Sequence, residues 1–510
     1  MSCGVIEIVL FSALVLVTRC ANVADVFVDG RIYFVDADCY SRMTRARLVA
    51  EHPGTVVRQH DFENYPAGVR PHTTAPLDYL IVLLAATLHP FTAQSLDLAG
   101  AILSPLLALG GGCFLWWWSR RFAAPARLLM LLVYGLSGIL VHGTALGRPD
   151  QQALLIVLLL VALVAEHQLR EAPSQPWSVV SGLSWGLAFW VSLYEPLILL
   201  LALFFLSRVV GGTRIAVPAR RIGWWILLAV LLLAALVERR LPEWPAASPF
   251  LANWSATIGE LRGLSLTNPG WLYWTSGLLL VSPLLLGLAL RRRSIDPLWP
   301  GLVLLFGLLT FWQARWGYYF TVVFLLTLPA QLAVVRQRWL VWCAVALALM
   351  PFLQFWDARL WPDETVAARQ NQDRREMIEW RAAASSLAGS NRAPILAPWW
   401  LAPATAYWSG QPVVAGSSHE SLPGIVDTAR FFLATAPEEA ADLLRRHGVK
   451  WVLMADGDRV LANAAAILAR PVPEATLGRI LDRTPSQAPS FLALVGQNDA
   501  CKVYQVRDLR

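Results

Sequence analysis

Four acidic residues and one arginine carry most of the chemical promise of this chain. Asp36 and Asp38 stand in VDADCYSRMTRAR, Asp150 in GRPDQQ, Glu260 in NWSATIGELRGLS, and Arg315 in WQARWGYY. Carboxylates drawn from separate segments supply hard oxygen ligands, which suit Mg2+ or Mn2+ rather than zinc. An arginine beside such an ion completes the equipment for a phosphate or pyrophosphate leaving group. Its planar guanidinium grips phosphate oxygens in pairs while the cation takes up developing charge. Each residue also has a plain structural reading. Asp38 fits as the N-cap of a helix beginning at Cys39, Asp150 as the cap of an apolar helix, and Thr257-x-x-Glu260 as a capping box. Arg315 fits as a snorkelling side chain at a membrane edge. Spacing alone leaves both readings open, because convergence depends on the elements that carry the residues.

Those elements are membrane helices. The chain has 510 residues, 56% hydrophobic and 15% charged, against roughly 25% charged in a soluble protein. Its net charge of +7 comes from arginines in short clusters between apolar runs, the pattern of cytoplasmic loops. No basic stripe with interleaved aromatics is present, which argues against nucleic acid as a partner. The six cysteines are scattered without a C-x-x-C pair and frame neither disulfides nor a zinc site.

About 20 apolar residues cross a bilayer, and eleven runs qualify: 4–21, 94–117, 127–146, 151–168, 177–193, 195–210, 222–238, 271–290, 298–314, 317–335 and 339–356. The first lacks a basic leader and reads as a retained span. With the N-terminus cytoplasmic, the clusters Arg120–Arg121–Arg127, Arg208–Arg221, Arg291–Arg293 and Arg336–Arg338 all fall on the inner side; Arg239 and Arg240 do not. Leu77 to Phe91, broken by His89 and Pro90, reads as an interfacial or re-entrant helix, since counting it as a span would invert every later cluster. The outer features are then the loops 22–93, 147–152 and 239–270, together with the tail after Trp356. Two domains follow: a transmembrane part, 1–356, and an extracytoplasmic domain, 357–510, whose helix-to-strand text AADLLRRHGVKWVLMADGD reads as α/β.

The order Asp-x-Asp, Gly-x-x-Asp, Thr-Ile-Gly-Glu, Arg before a span, and Trp-Trp in a C-terminal domain resembles the catalytic subunit of oligosaccharyltransferase, in its bacterial and archaeal single-subunit form. The resemblance runs from loop one to about Gly457. It implies a GT-C membrane fold and transfer of a glycan from a polyprenyl-pyrophosphate carrier to asparagine. It implies a Mn2+ or Mg2+ ion held by Asp38, Asp150 and Glu260, with Asp36 as a possible extra acid. Asp38 and Glu260 would face the acceptor amide as catalytic groups, Arg315 would steady the donor pyrophosphate, and Trp399, Trp400 and Thr257 would line the acceptor.

Three departures stand out. The family's second acid after Asp150 is Gln152 here. Its thirteen spans are eleven, the missing pair falling between Glu195 and Glu238. Its Trp-Trp-Asp-x-Gly signature reads Trp399-Trp400-Leu401-Ala402-Pro403, and Leu401 offers no side-chain acceptor for a Ser or Thr hydroxyl. The expected function is therefore inverting, metal-dependent glycan transfer from a polyprenyl-linked donor, with protein as the acceptor. A GT-C transferase acting on lipid or polysaccharide is the alternative, and a non-catalytic carrier or assembly factor the second. Glu195-Pro196 is the only carrier-like charge near a span. The expected place is the bacterial inner membrane, with the C-terminal domain periplasmic.

Overall fold

Leucine-, alanine- and valine-rich runs with proline just inside their starts form helices over Ala75–Leu88, Ala124–Leu136, Gln175–Val191 and Ser282–Arg291. The computed structural model describes residues 3–210, 218–240, 247–389 and 391–507. Among these, five helices are long and apolar enough to cross a membrane by length and composition: Ser95–Ser119, Gln151–Glu171, Pro218–Glu238, Ala314–Ala333 and Arg338–Leu360.

The other expected spans are shorter or interrupted. The run 127–146 breaks at Ser137, whose ψ of 118° ends Ala124–Leu136 before Gly138–Gly143 begins. The run 271–290 breaks at Ser276, which lies at φ 130° between Gly270–Thr275 and Ser282–Arg291. Ala75–Leu88 is a separate helix of 14 residues. Its start is fastened to the ends of two others: Thr74 Oγ1 donates to Trp190 O at 2.6 Å, and Ala75 N donates to Glu238 Oε1 at 2.9 Å.

The chain divides into two compact units. One comprises residues 1–32, 73–241 and 260–363; the other comprises 33–72, 242–259 and 364–510. The second unit is therefore more than the tail: it takes in much of loop one and the front of the late loop, which no single boundary near 356 can express.

Within the first unit, two helices meet through glycine. A Cβ on Gly182 would stand 2.1 Å from Gly223 O, and one on Gly223 would stand 2.4 Å from Ser178 O. Ser178 Oγ uses the closeness to accept from Gly223 N at 2.9 Å. Small residues that let backbones touch are the usual means of joining helices in lipid, where no hydrophobic force separates helix from solvent.

The second unit sets helices around a four-stranded sheet. Strands β1 (Ile395–Leu396) and β2 (Trp451–Ala455) run parallel, while β3 (Leu492–Gln497) and β4 (Cys501–Val506) are antiparallel; the order is β1-β2-β4-β3. The amphipathic helices Leu422–Leu433 and Gly457–Leu468 bury Ile425, Ala429, Leu461 and Ile467 in one core with Trp254 and Trp380. Helix Ala37–Glu51 lies in this unit and packs on Ala402–Ser409 through Tyr40, whose ring meets Tyr407 at 5.9 Å and Trp408 at 5.0 Å.

Gly182→Leu should force the Gln175–Val191 and Arg221–Glu238 helices apart. The expected result is a melting temperature in detergent several degrees lower, from about 1–3 kcal/mol of overpacking. Gly287→Leu, where a Cβ meets nothing within 4 Å, should leave it unchanged.

Candidate active site

The sharp turn at GRPDQQ is possible because Gly147 takes φ +73°. Gly147 N donates to Ala101 O at 2.9 Å, and Ser104 Oγ donates to Arg148 O, which fixes the turn against helix Ser95–Ser119. Asp150 is the N-cap residue of Gln151–Glu171, yet its side chain makes no capping bond. Its Oδ2 instead lies 3.9 Å from Arg148 Nη2. The carboxylate is thus not consumed by the helix start.

Glu260 reaches the same region through backbone contact. Ala314 N donates to Arg262 O at 2.7 Å and Leu264 N to Thr310 O at 3.1 Å, laying 262–264 along 310–314. Gly263 is required there, since a Cβ would stand 1.9 Å from Phe311 O. Arg315 consequently sits in the electrostatic field of Glu195, Glu260 and Asp150 together. Its Nη2 donates to Glu195 Oε1 at 2.6 Å, and its Nε is buried without a hydrogen-bond partner among the described residues.

Glu195 is the anchor of that arrangement. It occupies the first turn of Tyr194–Val209 with its side chain only 1% exposed. It accepts from Ser192 Oγ at 2.6 Å and from Gln152 Nε2 at 3.3 Å, while Gln152 Oε1 accepts from Tyr319 OH at 2.9 Å. The residue that replaces the family's second acid therefore serves the ion pair. A second chain runs from Arg148 Nη1 to His142 Nε2 at 3.2 Å and from His142 Nδ1 to Tyr318 OH at 2.8 Å.

In the second unit, Asp36 caps helix Ala37–Glu51 by accepting from Cys39 N at 3.0 Å. The helix starts at Ala37, two residues before the expected Cys39, so the cap is Asp36 and Asp38 lies in the first turn. Phe34 N donates to Tyr40 OH at 3.1 Å and steadies that turn.

Trp399 Nε1 donates to Asn463 Oδ1 at 3.0 Å, and its ring packs edge-on against Trp254 at 5.7 Å and Trp400 at 5.9 Å. Arg459 covers Trp400, 4.7 Å from its ring centre. Leu401 caps the helix Ala402–Ser409 and packs on the core. Thr257 Oγ1 donates to Trp254 O at 2.7 Å, and Glu260 falls in the short 3-10 turn Gly259–Leu261, so the capping-box reading gives way to a bond back to Trp254.

Asp150, Glu260 and Arg315 thus gather in the first unit, whereas Asp36, Asp38, Thr257, Trp399 and Trp400 belong to the second. Sequence reasoning passed over Arg148, His142, Tyr318 and Tyr319, and set Glu195 aside as a carrier-type charge. A signal existed for Glu195: an acid opening a helix is rarely buried without a cation to answer it. Among the described residues, one group of His, Cys, Asp or Glu has its donor atoms within 4.8 Å of one another: His72, His419 and Glu420. None of these is an expected metal ligand.

Solved structures share the fold of this chain over most of its length. The archaeal oligosaccharyltransferase AglB from Archaeoglobus fulgidus, in complex with an inhibitory peptide and a dolichol-phosphate, superposes with a TM-score of 0.66 at 14% identity, over 91% of this chain and 70% of that one. Its complex with Zn and sulfate gives 0.67 at 14% identity, over 96% and 79%. ArnT from Cupriavidus metallidurans, bound to undecaprenyl phosphate, gives 0.63 at 15% identity, over 100% and 99%. This chain has the GT-C fold. No family model and no curated protein matches it by sequence. The GT-C resemblance expected from motif order is therefore carried by the fold, at an identity that leaves donor and acceptor to chemical argument.

Arg315→Ala would strand the buried Glu195 carboxylate, at a cost of about 3–5 kcal/mol. Glu195→Gln should be milder, and the double change Glu195→Gln/Arg315→Gln should recover part of the loss. A double-mutant cycle on thermal unfolding in detergent measures this coupling. Additivity within about 0.5 kcal/mol would remove the pair as the anchor of the site.

Proposed function

We propose that this chain transfers a sugar or oligosaccharide from a polyprenyl-phosphate or -pyrophosphate donor to an acceptor outside the cell's inner membrane, inverting the sugar carbon. The observation that carries the reading is Arg315. Its guanidinium is fixed on one side by Glu195, its Nε is buried without a hydrogen-bond partner among the described residues, and it feels the charges of Glu260 and Asp150. A partly buried guanidinium beside acids is suited to an anion that brings its own cation. Both similar enzymes were solved with a polyprenyl phosphate, dolichol-phosphate in AglB and undecaprenyl phosphate in ArnT, which supports that donor class.

Asp150 and Glu260 would hold Mg2+ or Mn2+, with Asp38 as third ligand, because their donor atoms are hard oxygens. When bound, such an ion supplies Lewis-acid stabilisation of charge on the leaving phosphate. The chain's own residues do the rest. Arg315 grips the phosphate oxygens, and Glu195, held by Ser192 and Gln152, keeps the guanidinium plane in place. Asp38 and Glu260 orient the acceptor nucleophile. Its bond to the anomeric carbon forms as the carbon–phosphate oxygen bond breaks from the opposite face.

For the acceptor, the first reading is protein. The Thr-Ile-Gly-Glu loop supports it, and AglB has been solved tethered to an acceptor peptide with an NVT sequon. The second reading, a lipid or polysaccharide acceptor, is favoured by Leu401, an apolar residue packed on the core where a sequon hydroxyl would need a carboxylate. The carrier reading loses its one candidate, since Glu195 is committed to Arg315.

Glu260→Gln and Asp150→Asn should each lower transfer from a polyprenyl-linked donor by on the order of 10²–10³-fold, and chelation should abolish it. Full activity in either variant would sink the assignment. Assayed with Asn-x-Ser/Thr peptides beside lipid and glycan acceptors, Leu401→Asp should raise peptide transfer if the acceptor is protein. No gain on peptides, with transfer to a lipid or glycan, would favour the second reading.

A further inference from the structure

The His72, His419 and Glu420 cluster lies wholly in the second unit, and the proposed transfer chemistry does not use it. His72 is brought to the adjacent pair His419 and Glu420, 348 positions from Glu420, by a stapled piece of loop one. Tyr65 N donates to Val413 O at 3.1 Å, and Val413 N donates to Phe62 O at 2.9 Å. Asn64 Oδ1 accepts from Gly424 N at 3.0 Å. These bonds flank the segment that bears His419 and Glu420, so the ligands sit on backbone fixed from both sides.

The donor geometry is specific. His72 Nδ1 lies 2.7 Å from Glu420 Oε1, and His419 Nδ1 lies 3.4 Å from Glu420 Oε2; the two rings are 5.0 Å apart and tilted by 36°. Both imidazoles therefore turn the same nitrogen toward one carboxylate. The His72 backbone N–H also donates to Glu420 Oε1 and fixes the carboxylate plane. Glu420 Oε2 is buried and has no hydrogen-bond partner among the described residues. Tetrahedral zinc with ligand bonds of about 2.0–2.2 Å places its donor atoms roughly 3.3 Å apart. One of the two observed spacings already matches, and the other requires a modest rotation of His72, the most exposed ligand at 36%.

Glu63 backs the cluster. Its carboxyl is buried, accepts from Ser421 Oγ at 3.3 Å, and feels the charge of Glu420. Burial raises it to about 7, with the Ser41 hydrogen bond opposing and Glu420 adding to the rise. A cation bound at Glu420 would relieve that second contribution.

We propose that His72, His419 and Glu420 bind a divalent ion of the zinc class, with water in the fourth position, clamping residues 60–72 of loop one to residues 413–424. Two imidazoles and a carboxylate are a recurrent zinc donor set, and imidazole nitrogen selects zinc over the Mg2+ or Mn2+ that all-oxygen ligands prefer. The clamp closes the far end of the loop-one segment whose near end carries Asp38 on helix Ala37–Glu51.

The test uses the full-length protein in detergent, stripped with a chelator and titrated with Zn2+, its metal content read by elemental analysis. About one zinc per chain is expected, and His419→Ala and Glu420→Gln should each weaken zinc affinity by on the order of 10²-fold or more. Asp150→Asn and Glu260→Gln should retain it, which separates this ion from one at the transfer site. The unmodified protein gives a reading that depends on no variant folding: Co2+ loading should produce the visible absorption of four-coordinate nitrogen–oxygen ligation. Zinc content as high in the His419→Ala and Glu420→Gln variants as in the parent, or a parent that takes up no zinc and shows no Co2+ band, would overturn the proposal. Because metal content is read and not glycosyl transfer, either result leaves the donor-side reading where it stands.

Discussion

A tightly held charged pair governs this molecule. Glu195 and Arg315 lie 2.6 Å apart, the acid almost completely buried. Either charge alone would be very costly there, and together they are tolerable because hydrogen bonds from Ser192 and Gln152 satisfy the remaining carboxylate capacity. The partners come from helix starts 120 residues apart. Correct packing of those helices and correct wiring of the site are therefore the same event. Tyr319 extends the constraint by bonding Gln152, so a third polar group, in the helix that follows Arg315, is committed to it.

The site grows outward from this pair by backbone geometry more than by side-chain reach. Glu260 arrives because residues 262–264 lie along 310–314, and Asp150 because the Gly147 turn is pinned to Ala101. The Asp150 side chain makes no capping bond to its helix, and Glu260 lies in the short turn Gly259–Leu261. In the second unit Asp36 takes the capping position of its helix, and Asp38 lies in the first turn.

Much of this was legible in the sequence, and the reasons it stopped are physical. Apolar length and arginine clusters gave a polytopic helical chain, because bilayer thickness and loop charge are one-dimensional constraints. The outer acids and Arg315 stood out because charges are scarce. Helix breaks at Ser137 and Ser276 did not, because each serine stands inside an apolar run; in the structure each caps the helix that follows, accepting from Leu140 N and Leu278 N. The Trp-Trp pair was read as lying beside an acceptor. Trp399 also proves to be bonded to Asn463 and packed edge-on against Trp254, far away in sequence, a contact no local pattern encodes. Gln152 looked like a lost ligand, but its place in the Glu195 network depends on a partner 43 residues away.

The touching backbones at Gly263 have a consequence for how such a chain can diverge. With no room for even a methyl group beside Phe311 O, this point fixes the thread, and the three-residue step from Glu260 to Gly263 cannot change length. One residue added inside that step would swing the carboxylate away while leaving the crossing intact. Additions earlier in the loop would be absorbed before the crossing is reached. Relatives should therefore vary freely in loop length up to the threonine and show no gaps after the glutamate, a rhythm of insertion that an aligned set of sequences would display even where hardly a residue is shared.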